Sequence, residues 1–169
     1  MRLYLVRHAE AADKAADPKR PLTAQGVRDT ELLRQLLLRF DLKVDAIWHS
    51  QKARAAQTAG ILLPAITCKK GLVLRKNIKP MSKPEHVLPE LERARGDIMI
   101  VGHLPHLAEL AGALLKWKKA DQRLDWGKPC VVVLEKARNS HWTLVWMIGP
   151  ESVRTILKKQ KQDRQLPGR

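Results

Sequence analysis

Short apolar runs alternate along this chain with stretches in which apolar residues recur every three or four positions. The runs predict buried strands and the spaced stretches predict helices with one apolar face. Residues 3–6 (LYLV) make the first strand, and the polar, Ala- and Pro-containing stretch 9–21 makes a loop. Thr23 offers an N-cap to a helix carrying Leu32, Leu33, Leu36 and Leu37 and ending near Phe40. VDAIWHS (44–50) is a second strand, followed by a helix over about 51–63 that Pro64 stops. Residues 64–81 are irregular, with a short strand at 72–74. SKPEHVLPELERAR (82–95) predicts a third helix capped by Ser82, with Pro84 in its first turn and a break at Pro89.

DIMIVGH (97–103) is a third buried strand, and LPHLAELAGALLKW (104–117) is the helix after it, with Pro105 in the first turn. A polar loop fills roughly 117–128. CVVVLE (130–135) and HWTLVWMI (141–148) then predict an antiparallel pair. Alternation places Trp142, Leu144, Trp146 and Ile148 on one face, as core. A short basic helix starts near Glu151, and residues 158–169 read as a basic, unstructured tail behind a single domain, 1–157. Apolar strands alternating with amphipathic helices imply an α/β three-layer sandwich: a mainly parallel central sheet flanked by helices, with the antiparallel pair at one edge.

Composition narrows the setting. No apolar run approaches the roughly 18 residues of a membrane span, and no secretory pattern opens the chain, so a cytoplasmic protein is expected. Cys68 and Cys130 form no CxxC pair, which argues against a zinc site, and two free thiols are expected. The net charge is +15, of which residues 154–169 hold +5. The remaining +10 favours anionic partners such as phosphorylated substrates or polyphosphate. A basic surface of no specific purpose accounts for it equally well. Charge does not choose among partners, and nucleic acid is not the expected one.

The chemistry collects at strand ends. In parallel sheets ligands bind outside the carboxyl ends of the strands. The first strand ends in Arg7 and His8. The second runs into HSQKAR, which puts Arg54 in the first turn of the next helix. The third ends in Gly102 and His103. Three strand ends thus deliver two arginines and two imidazoles to one edge, with no acidic metal-binding cluster beside them. Arginine forks pair bidentately with phosphoryl oxygens. One neutral imidazole can attack phosphorus and the second can donate to a phosphoryl oxygen. The set suits phosphoryl transfer without a metal or other cofactor. Each of these residues, taken alone, is also an ordinary surface residue.

Four stretches further resemble one known family. LYLVRHAEAAD resembles the RHG-type signature of the histidine phosphatase superfamily. RPLTAQG (20–26) resembles its PLT stretch, HSQKARAAQTAGIL (49–62) its RA-QTA motif, and VGHLPHLAEL (101–110) its second-histidine motif. They occur in the family's order and span most of residues 1–115. Length and the combination RHAE, RPLT and GHLP are most similar to the small phosphohistidine phosphatase branch, with a phosphoglycerate mutase-like fold. The resemblance implies that His8 is the phosphorylated histidine, that Arg7 and Arg54 bind phosphate, and that His103 is the second pocket histidine. It also implies a substrate or phosphate contact for Arg20.

The departures carry information. Ala9 stands in place of the glycine of RHG, and Gln51-Lys52 in place of Ser-Pro. No obvious acid replaces the glutamate that many relatives use to protonate a leaving group; Glu10 is the nearest candidate. An alkoxide wants a general acid, whereas the imidazole of phosphohistidine leaves more easily, because its ring can be protonated beforehand. The expected enzyme is therefore a metal-independent phosphatase acting on protein phosphohistidine. Alternatives are a small-molecule phosphoester phosphatase, or a catalytically weak module that binds polyphosphate or another polyanion. A mutase is disfavoured by the short chain. His49 is expected at the rim, His106 packed or exposed, and the lysines at 116, 118 and 119 on a basic surface.

Overall fold

The computed structural model describes residues 1–117, 124–137 and 141–165. In chain order its elements are β1 (Arg2–Arg7), α1 (Ala24–Leu37), the short β2 (Lys43–Val44), β3 (Ala46–Ser50) and α2 (Ala53–Leu62). A 3-10 turn (Leu63–Ala65), β4 (Thr67–Cys68), β5 (Leu72–Arg75), a second 3-10 turn (Pro84–His86) and α3 (Leu88–Arg93) follow. Then come β6 (Ile98–Gly102), α4 (His106–Leu115), β7 (Cys130–Lys136), β8 (Trp142–Ile148) and α5 (Pro150–Gln165). The outer part of the expected polar loop (118–123, with Lys118 and Lys119), the turn 138–140 and the tail end 166–169 lie outside the described residues.

The main sheet has the order β5-β3-β6-β1-β7-β8. β5, β3, β6 and β1 pair in parallel, and β7 and β8 add on antiparallel. The central strands are apolar at nearly every position because both faces are covered. One face (Tyr4, Val6, Ile47, Met99, Val101, Val131, Val133) packs on Leu33, Leu36 and Leu37 of α1, Ala55, Ala59 and Leu62 of α2, and Val153 and Leu157 of α5. The other face (Leu3, Leu5, Trp48, Ile98, Ile100, Val132, Leu134) packs on Val87, Leu91 and the Leu107, Leu110 and Ala111 stripe of α4. This is the expected three-layer α/β sandwich with its antiparallel edge.

Four expectations change in detail. The expected break in the third helix is present but falls just before Pro89: a 3-10 turn is followed by only six residues of α3, with Pro89 in its first turn. Ser82 does not cap it; the Ser82 hydroxyl accepts from the Lys79 amide at 3.0 Å. The single-face reading of β8 fails because the ladder slips between Val133 and Leu134, which face Trp146 and Leu144. The extra residue, Val145, is a bulge, and it reverses the alternation. Trp146 and Ile148 therefore join one core layer and Trp142 the other. A separate two-stranded ribbon, β2 with β4, was not foreseen.

The C-terminus is also different from the expected tail. α5 continues through Gln165, so residues 158–165 are helical. Its start is pinned by Arg154, which donates to both carboxylate oxygens of the buried Asp29 on α1 at 2.8 and 2.9 Å. Among the described residues no helix is long and apolar enough to cross a membrane.

Candidate active site

β1 ends between two neighbours at one edge of the sheet. Arg7 is in register with Gly102 of β6 on one side and Cys130 of β7 on the other. The next amide, that of His8, donates to the Gly102 carbonyl at 3.0 Å. Because β7 is antiparallel, its amino end lies at the carboxyl edge of the parallel strands. The segment just before it reaches that edge too. Arg7 Nη1 donates to the carbonyl of Trp126 there, and Trp126 is itself buried in the core.

α2 explains the spacing within RAAQT. Positions three and four apart share a helix face, and here the face looks at the His8 loop. Arg54 Nε donates to His8 Nε2 at 3.1 Å. The Gln57 side-chain oxygen accepts from the Leu22 amide at 2.7 Å. Thr58 Oγ1 accepts from the Ala9 amide at 3.2 Å while donating to the Arg54 carbonyl at 2.8 Å. The motif thus clamps both the loop after β1 and the loop before α1.

PLTAQG has an equally mechanical reading. Thr23 caps α1 by accepting from the Gly26 amide at 3.0 Å, and its hydroxyl donates to Glu10 Oε1 at 2.7 Å. Gly26 lies so close to the chain at Glu10 that a Cβ there would stand 2.1 Å from the Glu10 carbonyl oxygen. Glycine is required by contact, not by φ. Gly26→Ala is expected to cost about 1–3 kcal/mol of stability and to lower activity, because the strain falls two residues from His8. Thermal unfolding and a turnover assay check this; an unchanged melting temperature contradicts it.

Two imidazoles face each other at the centre. The rings of His8 and His103 lie 4.8 Å apart, centroid to centroid, tilted by 59°. His8 Nδ1 is 2.6 Å from the Ala9 carbonyl oxygen. A carbonyl only accepts, so Nδ1 carries the hydrogen and Nε2 keeps its lone pair. That tautomer is inferred from the partners. Burial pushes the His8 pKa down to about 4. The Ala9 hydrogen bond opposes this, and the charges of Arg54, Lys128 and Arg7 add to the depression. His103 is pushed down to about 3, by burial first and then by His8, Arg54 and Lys52. Both imidazoles are therefore neutral at pH 7. His103 is 2% exposed, and neither of its ring nitrogens has a hydrogen-bond partner.

The expected quartet of Arg7, His8, Arg54 and His103 is thus assembled at one edge. Arg20 joins its rim. It lines one cleft with Arg54, and its charge, after burial, lowers the Arg54 pKa. Its backbone is left-handed (φ 50°), and its Nε donates to the Ala12 carbonyl at 3.0 Å. Ala9 is fully buried and is not among the left-handed residues, so the backbone here does not need glycine. Glu10 is exposed and its carboxylate is engaged by Thr23. His49 Nδ1 rests against its own strand at the Ser50 carbonyl, 3.1 Å away. His106 is buried with Nδ1 2.7 Å from the Ser82 carbonyl.

Two contributors were missed from the sequence. One is the Trp126 carbonyl, which holds Arg7. The other is Lys128, whose pKa is lowered by burial and then by Arg7 and Arg20, and whose charge acts on His8. Only the closeness of WGKPC to the strand at 130 hinted at either. Among the described residues no three His, Cys, Asp or Glu side chains gather as a metal-binding group. The largest charge effects on His8 and His103 come from Arg, Lys and His side chains.

Known proteins are similar to the chain in sequence and in fold. A model of the histidine phosphatase superfamily, branch 1, matches residues 3–75. An uncharacterized protein of Picosynechococcus is 38% identical over 121 residues, which cover 68% of this chain and 73% of that protein. The protein histidine phosphatase SixA, solved with tungstate, superposes with a TM-score of 0.79 at 20% identity, covering 90% of this chain and 99% of its own. A protein assigned as the phosphohistidine phosphatase SixA of Agrobacterium tumefaciens gives 0.71 at 25% identity, covering 88% and 97%. A phosphoserine phosphatase of Entamoeba histolytica, solved as an H9A mutant with phosphoserine, gives 0.70 at 14% identity, covering 89% and 98%.

Proposed function

The chain belongs to the histidine phosphatase superfamily and is a hydrolase of its kind; from that premise we propose that it dephosphorylates a protein phosphohistidine through a phosphohistidine on its own His8. The observation that carries this reading is the pairing of the His8 ring. Nδ1 is fixed on the Ala9 carbonyl and Nε2 faces Arg54 Nε at 3.1 Å. A neutral ring with a fixed tautomer and a directed lone pair is a ready nucleophile.

In the first step Nε2 attacks phosphorus, the substrate's P–N bond breaks, and the electron pair leaves with the substrate imidazole, which departs as a neutral ring when its other nitrogen already carries a proton. Arg7 and Arg54 hold the phosphoryl oxygens. His103, neutral at pH 7, has one N–H to donate to the same group. A phosphoryl dianion between the imidazoles favours their protonated forms, so both pKa values rise on binding. In the second step water attacks phosphorus and the electron pair returns to Nε2, where Arg54 Nε donates to it. Arg20 extends the contact to the rest of the substrate. A cytoplasmic setting, where Cys68 and Cys130 stay as free thiols, belongs to the same proposal.

The P–N preference follows from the charges around the imidazoles. The largest influences on both rings are burial and Arg, Lys and His side chains, and the carboxylate of Glu10 is engaged by Thr23. A general acid contributes roughly 10²–10⁴-fold to a reaction that needs one. Phosphohistidine and phosphoramidate are therefore expected to turn over roughly 10²-fold or more faster than alkyl phosphates. A hydrolysis screen measures this. Equal rates on both bond types sink the preference and favour a small phosphoester as substrate.

A further inference from the structure

The positive charge around the site exceeds what one phosphoryl group needs. An open cleft of about 630 Å³ leads outward from Arg54, lined by Lys14, Lys19, Arg20 and Lys52, and its other lining residues are uncharged. Arg54 is common to this cleft and to the His8 pair. The loop that supplies Lys14 and Lys19 contains three carboxylates: Glu10 accepts from the Thr23 hydroxyl, and the other two are turned onto the loop's own backbone. Asp13 accepts from the Ala15 amide at 2.8 Å and Asp17 from the Lys19 amide at 2.7 Å. Neither Lys14, Lys19, Arg20 nor Lys52 takes part in an ion pair among the described residues. Arg20 is held toward the cleft in a left-handed conformation, which costs energy for a non-glycine residue. The result is a group of cations without ion-pair partners lining a cleft that shares Arg54 with the phosphoryl pocket.

We propose that this group binds a linear phosphoanhydride chain, and that the enzyme removes the chain's terminal phosphate. The proposal rests on the reading of His8 as nucleophile and adds a second substrate class to it. His8 Nε2 bonds to the terminal phosphorus, and the bond from that phosphorus to the bridging oxygen breaks. The electron pair leaves with the bridging oxygen, which becomes a terminal oxygen of the shortened chain. That leaving group disperses its charge over several oxygens and departs without a proton. Lys14, Lys19, Arg20 and Lys52 stabilise it electrostatically. Water then attacks the phosphorus on His8, the P–N bond breaks, and the pair returns to Nε2. The water's oxygen and protons leave with orthophosphate and the solvent. A site with many cations and no general acid suits this leaving group as well as it suits an imidazole.

The test compares phosphoramidate, tripolyphosphate and ATP as substrates of the full chain and of the double variant Lys14→Ala/Lys19→Ala. Both lysines are exposed on a loop, and thermal unfolding verifies that the variant folds. The wild-type protein is expected to release orthophosphate from tripolyphosphate. The variant is expected to lose roughly tenfold in kcat/KM on that substrate and nothing on phosphoramidate. Added salt should reproduce the selective loss, because exposed charges are screened. Tripolyphosphate turned over faster than ATP identifies an inorganic chain, and the reverse identifies a nucleotide; both support the anhydride subsite. Turnover of phosphoramidate with neither anhydride cleaved overturns the proposal and leaves the phosphatase reading intact. Equal losses on phosphoramidate and tripolyphosphate overturn it too. If phosphoramidate is not hydrolysed either, the His8 reading itself has failed.

Discussion

Replacing His8 by Ala should bring hydrolysis of phosphoramidate down to background, a loss of at least roughly 10³-fold. It should also abolish covalent labelling of the protein by a phosphoryl donor. The size of the effect follows from the chemistry. Without the His8 imidazole the phosphoryl group loses its positioned covalent acceptor, and His103, whose ring nitrogens have no partner to fix a tautomer, is left to bind it. The label on the wild-type protein should be acid-labile and alkali-stable, as a P–N bond is. Rapid-quench labelling checks the covalent step, and circular dichroism checks that the variant folds.

The same experiment separates the two histidines. They lie 4.8 Å apart, so position alone does not say which one attacks. Hydrogen bonding does. His8 has Nδ1 committed to a carbonyl and Nε2 aimed at the Arg54 guanidinium. Both His103 nitrogens lack a partner, so nothing fixes its tautomer before substrate binds. His103→Ala should therefore slow turnover yet retain labelling. A His8→Ala protein that still takes up label would move the nucleophile to His103.

The quartet was legible in the sequence because each member sits at or just after the end of an apolar run. A parallel sheet aligns those ends without any knowledge of the loops. The mainly parallel direction of the central strands followed from the same runs, but their order, β5-β3-β6-β1-β7-β8, did not. What the sequence hid has a common physical cause. Arg7 is anchored by a backbone carbonyl, that of Trp126, and a carbonyl has no side-chain signature. Lys128 reaches the site only because β7 is antiparallel and begins where β1 ends. The bulge at Val145 breaks a two-residue period that the amino acids themselves keep. The tail reading failed for a related reason. α5 has a narrow apolar stripe, Val153 and Leu157, and it is also tied to α1 by a long-range ion pair with Asp29. The departure at position 9 proved neutral for the backbone, since Ala9 needs no left-handed conformation.

Replacing Arg54 by Ala should cost roughly 10²–10³ in kcat/KM, the usual loss when one donor to a charge-developing oxygen is removed from a water-poor site. Arg54→Lys should recover little of it, because an ammonium cannot reproduce the fork that reaches His8 Nε2 and a phosphoryl oxygen together. The pH profile tests the role more sharply than the rate. A protonated Nε2 has no lone pair, so kcat/KM must fall as pH drops through the His8 pKa of the free enzyme. In the wild-type protein that pKa is near 4, held there chiefly by burial and further by the Arg54 charge. Removing Arg54 takes away a cation and admits water, and both changes let the pKa rise toward the ordinary value of about 6.5. The acid limb of the residual activity should therefore move to higher pH, with the neutral and alkaline side keeping its shape. Rates corrected for the spontaneous hydrolysis of phosphoramidate at each pH measure the shift. A variant that lost activity with an unmoved acid limb would show Arg54 binding phosphate without tuning His8. A variant with full activity would remove Arg54 from the site's chemistry altogether.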